Sequence, residues 1–243
     1  AWAWEIQPQG REFDYFRLVF DFYRCLRQLG LSVDIVPASA PQLDGYRLVV
    51  IPGLFAWTED LVTAIRECEG QVLIGPRSGS KTADFAIPAS LPPALPADIL
   101  ALRVSRIETL RADTPVAVTE AGAFQFWREY LEPGEGVETL LTAEDGVPAV
   151  VAQGNVTYLG GWPDQTLMKT ITGELTAKAG LVTKDLPDGV RLRRHGRHVF
   201  AINYGAEAFD LTALGWKGTP LLGDIVLAPS GVAITAVEDA GEG

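Results

Sequence analysis

The sequence predicts an α/β fold, an open doubly wound sheet followed by a small antiparallel β domain. Three observations carry this reading. Val49-Val50-Ile51 and Val72-Leu73-Ile74 are short continuous apolar runs of the kind a parallel sheet buries on both faces. A segment of helical periodicity separates them, so strand and helix alternate as in an open α/β sheet. From about Leu186 onward the pattern changes to short strands at intervals of about 8–12 residues, the spacing of a small antiparallel β unit.

The first element is a helix over 12–29. Asp14, Arg17, Asp21, Arg24 and Gln28 fall three and four apart as one polar stripe, and most of the remaining surface is apolar. So narrow a polar stripe predicts a helix covered on more than one side, by its own chain or by a partner subunit. Gly30 stands where a left-handed cap ends it. Strands are expected at Ser32 to Val36 and Arg47 to Ile51. Thr58 can then cap a helix whose apolar stripe is Leu61, Val62, Ile65 and Cys68, with Glu59 and Asp60 in its first turn and Gly70 ending it. Val72 to Ile74 leads into the turn Gly75-Pro76-Arg77-Ser78-Gly79, and Pro88, Pro92, Pro93 and Pro96 make the connection beyond it irregular. Leu102 to Leu110 and Ala123 to Trp127 alternate as strands, and Pro148 to Ala152 with Val156 to Leu159 flank a hairpin turn. Pro163-Asp164 opens a helix carrying Leu167, Ile171 and Leu175, which Gly180 ends. The late strands are Val190 to Arg194, Val199 to Asn203, Phe209 to Leu211, Ile225 to Leu227 and Val232 to Ala236, with a linker or tail at Glu238 to Gly243. The expected domains are 1–186 and 187–243.

A chain of 243 residues suits one large or two small domains. Hydrophobic residues at 47% against 21% charged supply enough apolar material for a core. The net charge of -11 repels phosphate, so neither nucleic acid nor anionic membrane is an expected partner. The two cysteines, Cys25 and Cys68, fall on apolar helix faces and form no disulfide framework. Neither His195 nor His198 belongs to a metal-ligand spacing, so no metal and no cofactor is expected. Arg191, Arg193, Arg194, His195, Arg197 and His198 alternate with Val190, Leu192 and Val199, which fits a hairpin with a charged outer face turning at Gly196. The chain starts at Ala1 with Ala-Trp-Ala-Trp and no leader pattern, and reads as a piece of something longer.

A doubly wound sheet with this strand–turn arrangement resembles the flavodoxin and class I glutamine amidotransferase folds. In the amidotransferases a nucleophilic cysteine occupies the tight turn after a strand. The equivalent turn here contains Ser78 and no cysteine, and the histidines lie far along the chain without an acidic neighbour. Arg77 and Ser78, with Lys81, form a polar cluster that could bind a carboxylate or a sugar hydroxyl, meet a subunit, or be a solvated loop. The turn lacks the spacing of a phosphate cradle. Trp57, Trp127 and Trp162 lie near expected loops and read as sugar platforms or as core anchors. No carboxylate pair stands out as a glycosidase acid and nucleophile, so no catalytic residue is assigned.

Taken in order along the chain, Ala1-Trp2-Ala3-Trp4-Glu5, Tyr23-Arg24-Cys25-Leu26-Arg27 with Leu29-Gly30 and Ser32-Val33-Asp34, Gly45 to Pro52, Gly75 to Gly79, Gly154 to Gly160 and Phe200 to Tyr204 resemble the region after the barrel of family 42 β-galactosidases. The resemblance implies a parent with an N-terminal (β/α)8 barrel, an amidotransferase-like middle domain used in trimerisation, and a small C-terminal β domain. Both catalytic glutamates of that family belong to the barrel, so none is carried onto this sequence. The chain is then expected to be inactive alone and to self-associate, as a homotrimer in the parent, with the first helix and the Arg77 loop as candidate interface. A galactoside would be met only through the barrel. A cytoplasmic location is what the resemblance suggests. Two alternatives stay open: a self-contained amidotransferase-like hydrolase using Ser78, and a carbohydrate-binding module using exposed tryptophans.

Overall fold

The computed structural model describes residues 12–236. The opening Ala-Trp-Ala-Trp-Glu segment and the Glu238 to Gly243 tail lie outside the described residues. The chain divides into two compact units, the first comprising 1–22 and 36–180 and the second 23–35 and 181–243.

The division falls within the first helix, α1 (Tyr15–Gln28). The Arg17 amide donates to Asp14 Oδ1 at its start, and Gly30, at φ 76°, turns the chain away at its end. In the first unit, β1 (Leu48–Ile51), β2 (Gln71–Ile74) and β8 (Val156–Leu159) are parallel neighbours. β7 (Pro148–Gln153) and β6 (Glu138–Thr142) extend them antiparallel, giving the order β1-β2-β8-β7-β6. The α/β expectation therefore holds, with a sheet that is parallel at one side and antiparallel at the other. Val72, Leu73, Ile74, Val151 and Tyr158 are buried in its centre. Gly154, at φ 59°, begins the two-residue turn that joins β7 to β8, as the sequence predicts.

Helix α2 (Glu59–Glu67) starts at Thr58, whose hydroxyl accepts from the Leu61 amide at 3.2 Å. Its buried Leu61 and Ile65 join Ile51, Cys68, Val72 and Ile74 in one core cluster. A second sheet orders β3 (Leu102–Thr109), β5 (Gly122–Pro133) and β4 (Val116–Val118), with β9 (Gly161–Pro163) also pairing to β5. The short helix α3 (Ala97–Leu100) leads into β3. Asp164 caps α4 (Gln165–Lys178) by accepting from the Leu167 amide at 2.8 Å, and Leu167, Ile171 and Leu175 are buried along it.

The second unit holds the antiparallel sheet β10 (Val190–His195), β11 (His198–Asn203) and β14 (Val232–Ala236), and the two-stranded β12 (Phe209–Asp210) with β13 (Val226–Leu227). Leu192, Ala201, Ala233, Leu211, Trp216 and Leu227 form its core. Gly196, at φ 58°, turns the β10–β11 hairpin and leaves Arg193, Arg194, His195, Arg197 and His198 exposed. Residues 23–35 belong here as well: Arg24 pairs with Asp188 at 2.6 Å, and Gln28 donates to the same carboxylate.

The strand expected at Ser32 to Val36 does not form, and Ile35 is 87% exposed. Alternation and β-branching favour an extended chain, but a strand also needs a partner ladder, and Ser32 instead accepts one backbone bond from Arg194. Both cysteines are buried and neither is in a disulfide.

Candidate functional site

The carboxyl ends of parallel strands are where open α/β sheets gather ligands. Here that position is the turn 75–79 after β2. Two close approaches shape it. A Cβ on Gly75 would lie 2.0 Å from the Pro52 carbonyl oxygen, and one on Gly79, at φ 68°, would lie 1.9 Å from that of Pro93. The Gly75 amide donates to Ile51 O and the Gly79 amide to Leu54 O, each at 2.8 Å, tying the turn to the loop after β1.

In a nucleophile elbow the reactive residue is the middle of a five-residue turn that begins and ends with glycine. In 75–79 the middle residue is Arg77, and it carries the left-handed backbone expected of that position, at φ 66°. Ser78 stands one place later. Its hydroxyl donates to Gly75 O at 2.8 Å and accepts from the Leu54 amide at 3.1 Å, and the residue is fully buried. It fastens the turn. Residues 80–96 contain no helix, so no helix N-terminus points at the elbow.

Arg77 is only 3% exposed. Its guanidinium lies 4.4 Å from the Phe55 ring centre, 4.6 Å from Phe13 and 5.0 Å from Trp127. Desolvated cation–π contacts of this kind contribute about 2 kcal/mol. Nη1 has no hydrogen-bond partner. Burial pulls the Arg77 pKa down to about 10, against the opposing charges of Glu129 and Tyr15, so the group remains a cation at neutral pH. Because this side chain turns inward among rings, it cannot form the polar rim of an interface as the loop position suggested.

The carboxylate that balances Arg77 comes from β5. Glu129 is fully buried and accepts three hydrogen bonds: from the Arg77 backbone amide at 2.7 Å, the Tyr158 hydroxyl at 2.7 Å and Trp127 Nε1 at 3.1 Å. Burial raises its pKa above the ordinary glutamate value, and the three donors and the Arg77 charge only partly offset that. Burial also lifts the Tyr158 phenol well above 10, with the Glu129 charge adding to it. Sequence reasoning missed Glu129 and Tyr158. The available signal was a charged pair, Arg128-Glu129, inside an otherwise apolar and aromatic run of β5. Arg128 pairs with Asp145 at 2.6 Å.

The arrangement supplies a locked turn in which every residue from 75 to 79 is buried. Both histidines sit on the β10–β11 hairpin of the other unit. Among the described residues no group of three or more His, Cys, Asp or Glu side chains is placed to hold a metal ion, and no helix is long and apolar enough to cross a membrane. The sugar-platform reading of the tryptophans is corrected by burial: Trp127 and Trp162 are core side chains, edge-on to Phe13 at 5.5 and 5.4 Å. Trp57 spends its N–H on Pro93 O at 2.6 Å.

Comparison with known proteins adds a separate line of observation. The family described as "Beta-galactosidase trimerisation domain" matches residues 1–182. The chain is 46% identical over 216 residues to a β-galactosidase of Thermus thermophilus, covering 88% of this chain and 33% of that protein. It is 32% identical over 237 residues to a β-galactosidase of Halorubrum lacusprofundi, covering 86% and 34%. Among solved structures, the β-galactosidase from the psychrophilic Marinomonas ef1 superposes with a TM-score of 0.87 at 37% identity, over 96% of this chain and 35% of that one. The chain thus spans about a third of the length of the relatives it matches.

Proposed function

The chain belongs to the β-galactosidase trimerisation-domain family of glycoside hydrolase family 42, and from this we propose that it is the non-catalytic assembly part of a longer β-galactosidase. The whole protein would remove terminal β-galactosyl groups by a retaining mechanism with two glutamates, both on a barrel outside this sequence. In this reading residues 1–186 form the assembly domain and 187–243 the small β domain. The assembly is a homotrimer, and galactoside is met only by the barrel. Arg77 and Ser78 serve the packing of their own turn and contact no substrate.

The observation that carries the proposal is the occupancy of the elbow. A buried arginine among three aromatic rings stands where an acyl-transfer nucleophile would have to be exposed. The self-contained hydrolase reading needs a reactive Ser78, but that hydroxyl is buried, gives its proton to Gly75 O and accepts from the Leu54 amide.

Three measurements test it. The purified chain should hydrolyse no chromogenic β-galactoside above a contaminant control, and sustained turnover overturns the non-catalytic assignment. Light scattering should report a mass three times 26.2 kDa as the concentration passes about tens of micromolar. A strict monomer at several hundred micromolar overturns the trimer for this chain. A serine-directed phosphonate that labelled Ser78 would revive the hydrolase.

A further inference from the structure

Three aspartates in the chain are followed directly by glycine: Asp44-Gly45, Asp145-Gly146 and Asp188-Gly189. Such a pair can rearrange, because glycine has no side chain to shield its amide from the preceding carboxyl group and leaves the backbone free to fold back upon it. The carboxyl has to leave its partners first. The fold treats the three pairs differently in this respect.

Asp145 takes Arg128 Nη2 on both oxygens, at 2.7 and 2.6 Å, and its Oδ1 also accepts from the Val147 amide. The Gly146 amide is engaged as well, donating to Ala143 O at 2.8 Å. Asp188 accepts from Arg24 Nη2 at 2.7 and 2.6 Å and from Gln28 Nε2 at 2.8 Å. The backbone beside it is closely packed, since a Cβ on Gly189 would lie 2.6 Å from Gly205 Cα. Asp44 is held by none of these devices. Among the described residues no side chain or amide bonds its carboxylate. Asp44 and Gly45 are both exposed, and a Cβ on Gly45, at φ 80°, would meet nothing within 4 Å. The turn is closed by the Tyr46 amide, which donates to Leu43 O at 3.3 Å. An exposed turn held by so little opens easily.

We infer that Asp44-Gly45 is a site of spontaneous isoaspartate formation, selected from the three pairs by the freedom of its carboxyl group. Water is the only co-reactant. In the protonated acid the Gly45 nitrogen attacks Asp44 Cγ. The N–Cγ bond forms, the nitrogen gives up its proton, and the carboxyl hydroxyl leaves with a proton as water. A second water then opens the succinimide ring at either of its carbonyls. Attack at Cγ restores aspartate. Attack at the main-chain carbonyl carbon breaks its bond to the Gly45 nitrogen and leaves the chain running through the side chain, as isoaspartate. The main chain is then longer by a methylene between Leu43, which is buried in the core, and Arg47, whose guanidinium bonds Ala179 O. The modified turn has to absorb that length.

The test incubates the unmutated chain in mildly acidic buffer at physiological temperature and maps its peptides by electron-transfer mass spectrometry, which distinguishes aspartate from isoaspartate. Isoaspartate at 44 should accumulate about tenfold or more faster than at 145 or 188, where bonds to charged groups have to break first. Equal accumulation at 145 or 188, or none at 44, overturns the inference. A parallel incubation in concentrated urea removes the fold, and there the three pairs should react at similar rates. If position 44 keeps the same lead in urea, the neighbouring sequence rather than the fold selects the site, and the inference falls.

Discussion

Glu129 is a carboxylate held in a core by hydrogen bonds from its own chain. Its three donors come from three places in the sequence, the turn after β2, β8 and β5 itself, so it fastens the elbow to both sheets of the first unit. A raised carboxyl pKa means that the folded chain holds the proton more tightly than the unfolded chain does. The stability contributed by that proton is complete below the unfolded value of 4.5 and is lost as pH rises through the folded pKa. Glu129→Gln has no such proton. The unfolding free energy of the wild type minus that of the variant should therefore fall as pH rises above about 4.5, then level off once Glu129 is ionised. Urea titrations between about pH 4 and 8 give this difference directly, and a flat profile means the folded pKa is not raised. Ser78 has a simpler prediction. Ser78→Ala leaves the Leu54 amide without its acceptor and should cost about 1–3 kcal/mol of stability by the same method. Of these residues the sequence exposes only part. Ser78 and the glycines around it are legible as a tight turn, because a turn is local. Glu129 is not, because 52 residues separate it from Arg77 and only the second sheet brings them together.

The elements that sequence reading anticipates are those whose ends are written locally. Thr58 and Asp164 supply side-chain caps, Gly30 and Gly180 supply left-handed exits, and Gly154 supplies the hairpin turn. The strands it misses, β4, β6 and β9, have three to five residues each and are fixed by their neighbours. β4 and β9 exist because β5 offers them a ladder, and β5 itself runs 12 residues through an interruption at Phe126, at φ 62°. Nothing in a three-residue run such as Gly-Trp-Pro announces a strand. The reverse failure at 32–36 has the same origin, since an alternating pattern without a neighbouring strand remains a loop. The local signals are also the ones whose removal has a predictable size. Asp164→Ala should lower stability by about 1 kcal/mol, because the Leu167 amide loses its partner, whereas Asp164→Asn should retain most of the cap. Equal losses for the two variants in denaturant titrations would show that the charge, not the hydrogen bond, matters there.

At the scale of the whole chain, the family match and the compact units partition the sequence differently. The match ends at 182, but the second unit takes back residues 23–35. Those residues are not decorative in it. Arg24 and Gln28 both bond Asp188, Arg27 Nη2 donates to Leu192 O at 2.7 Å, and the Leu186 and Lys184 amides donate to Gln28 O and Leu29 O. Arg27 is buried, so its cation depends on carbonyls that the second unit supplies. A boundary near 186 therefore falls inside the second compact unit, which takes up the chain again at 181. A fragment ending at Leu186 would lose Asp188 and Leu192 and leave the Arg27 guanidinium without its Leu192 acceptor. A hydrogen bond to a charged group typically contributes about 1.5–3 kcal/mol. The expected result is that the amides of Cys25 to Gln28 are strongly protected from hydrogen exchange in the 243-residue chain and exchange far faster in the 1–186 fragment, while those of Val72 to Ile74, at the centre of the first unit's sheet, stay protected in both. Equal protection of Cys25 to Gln28 in the two chains would mean that residues 187–243 do not hold the end of the first helix.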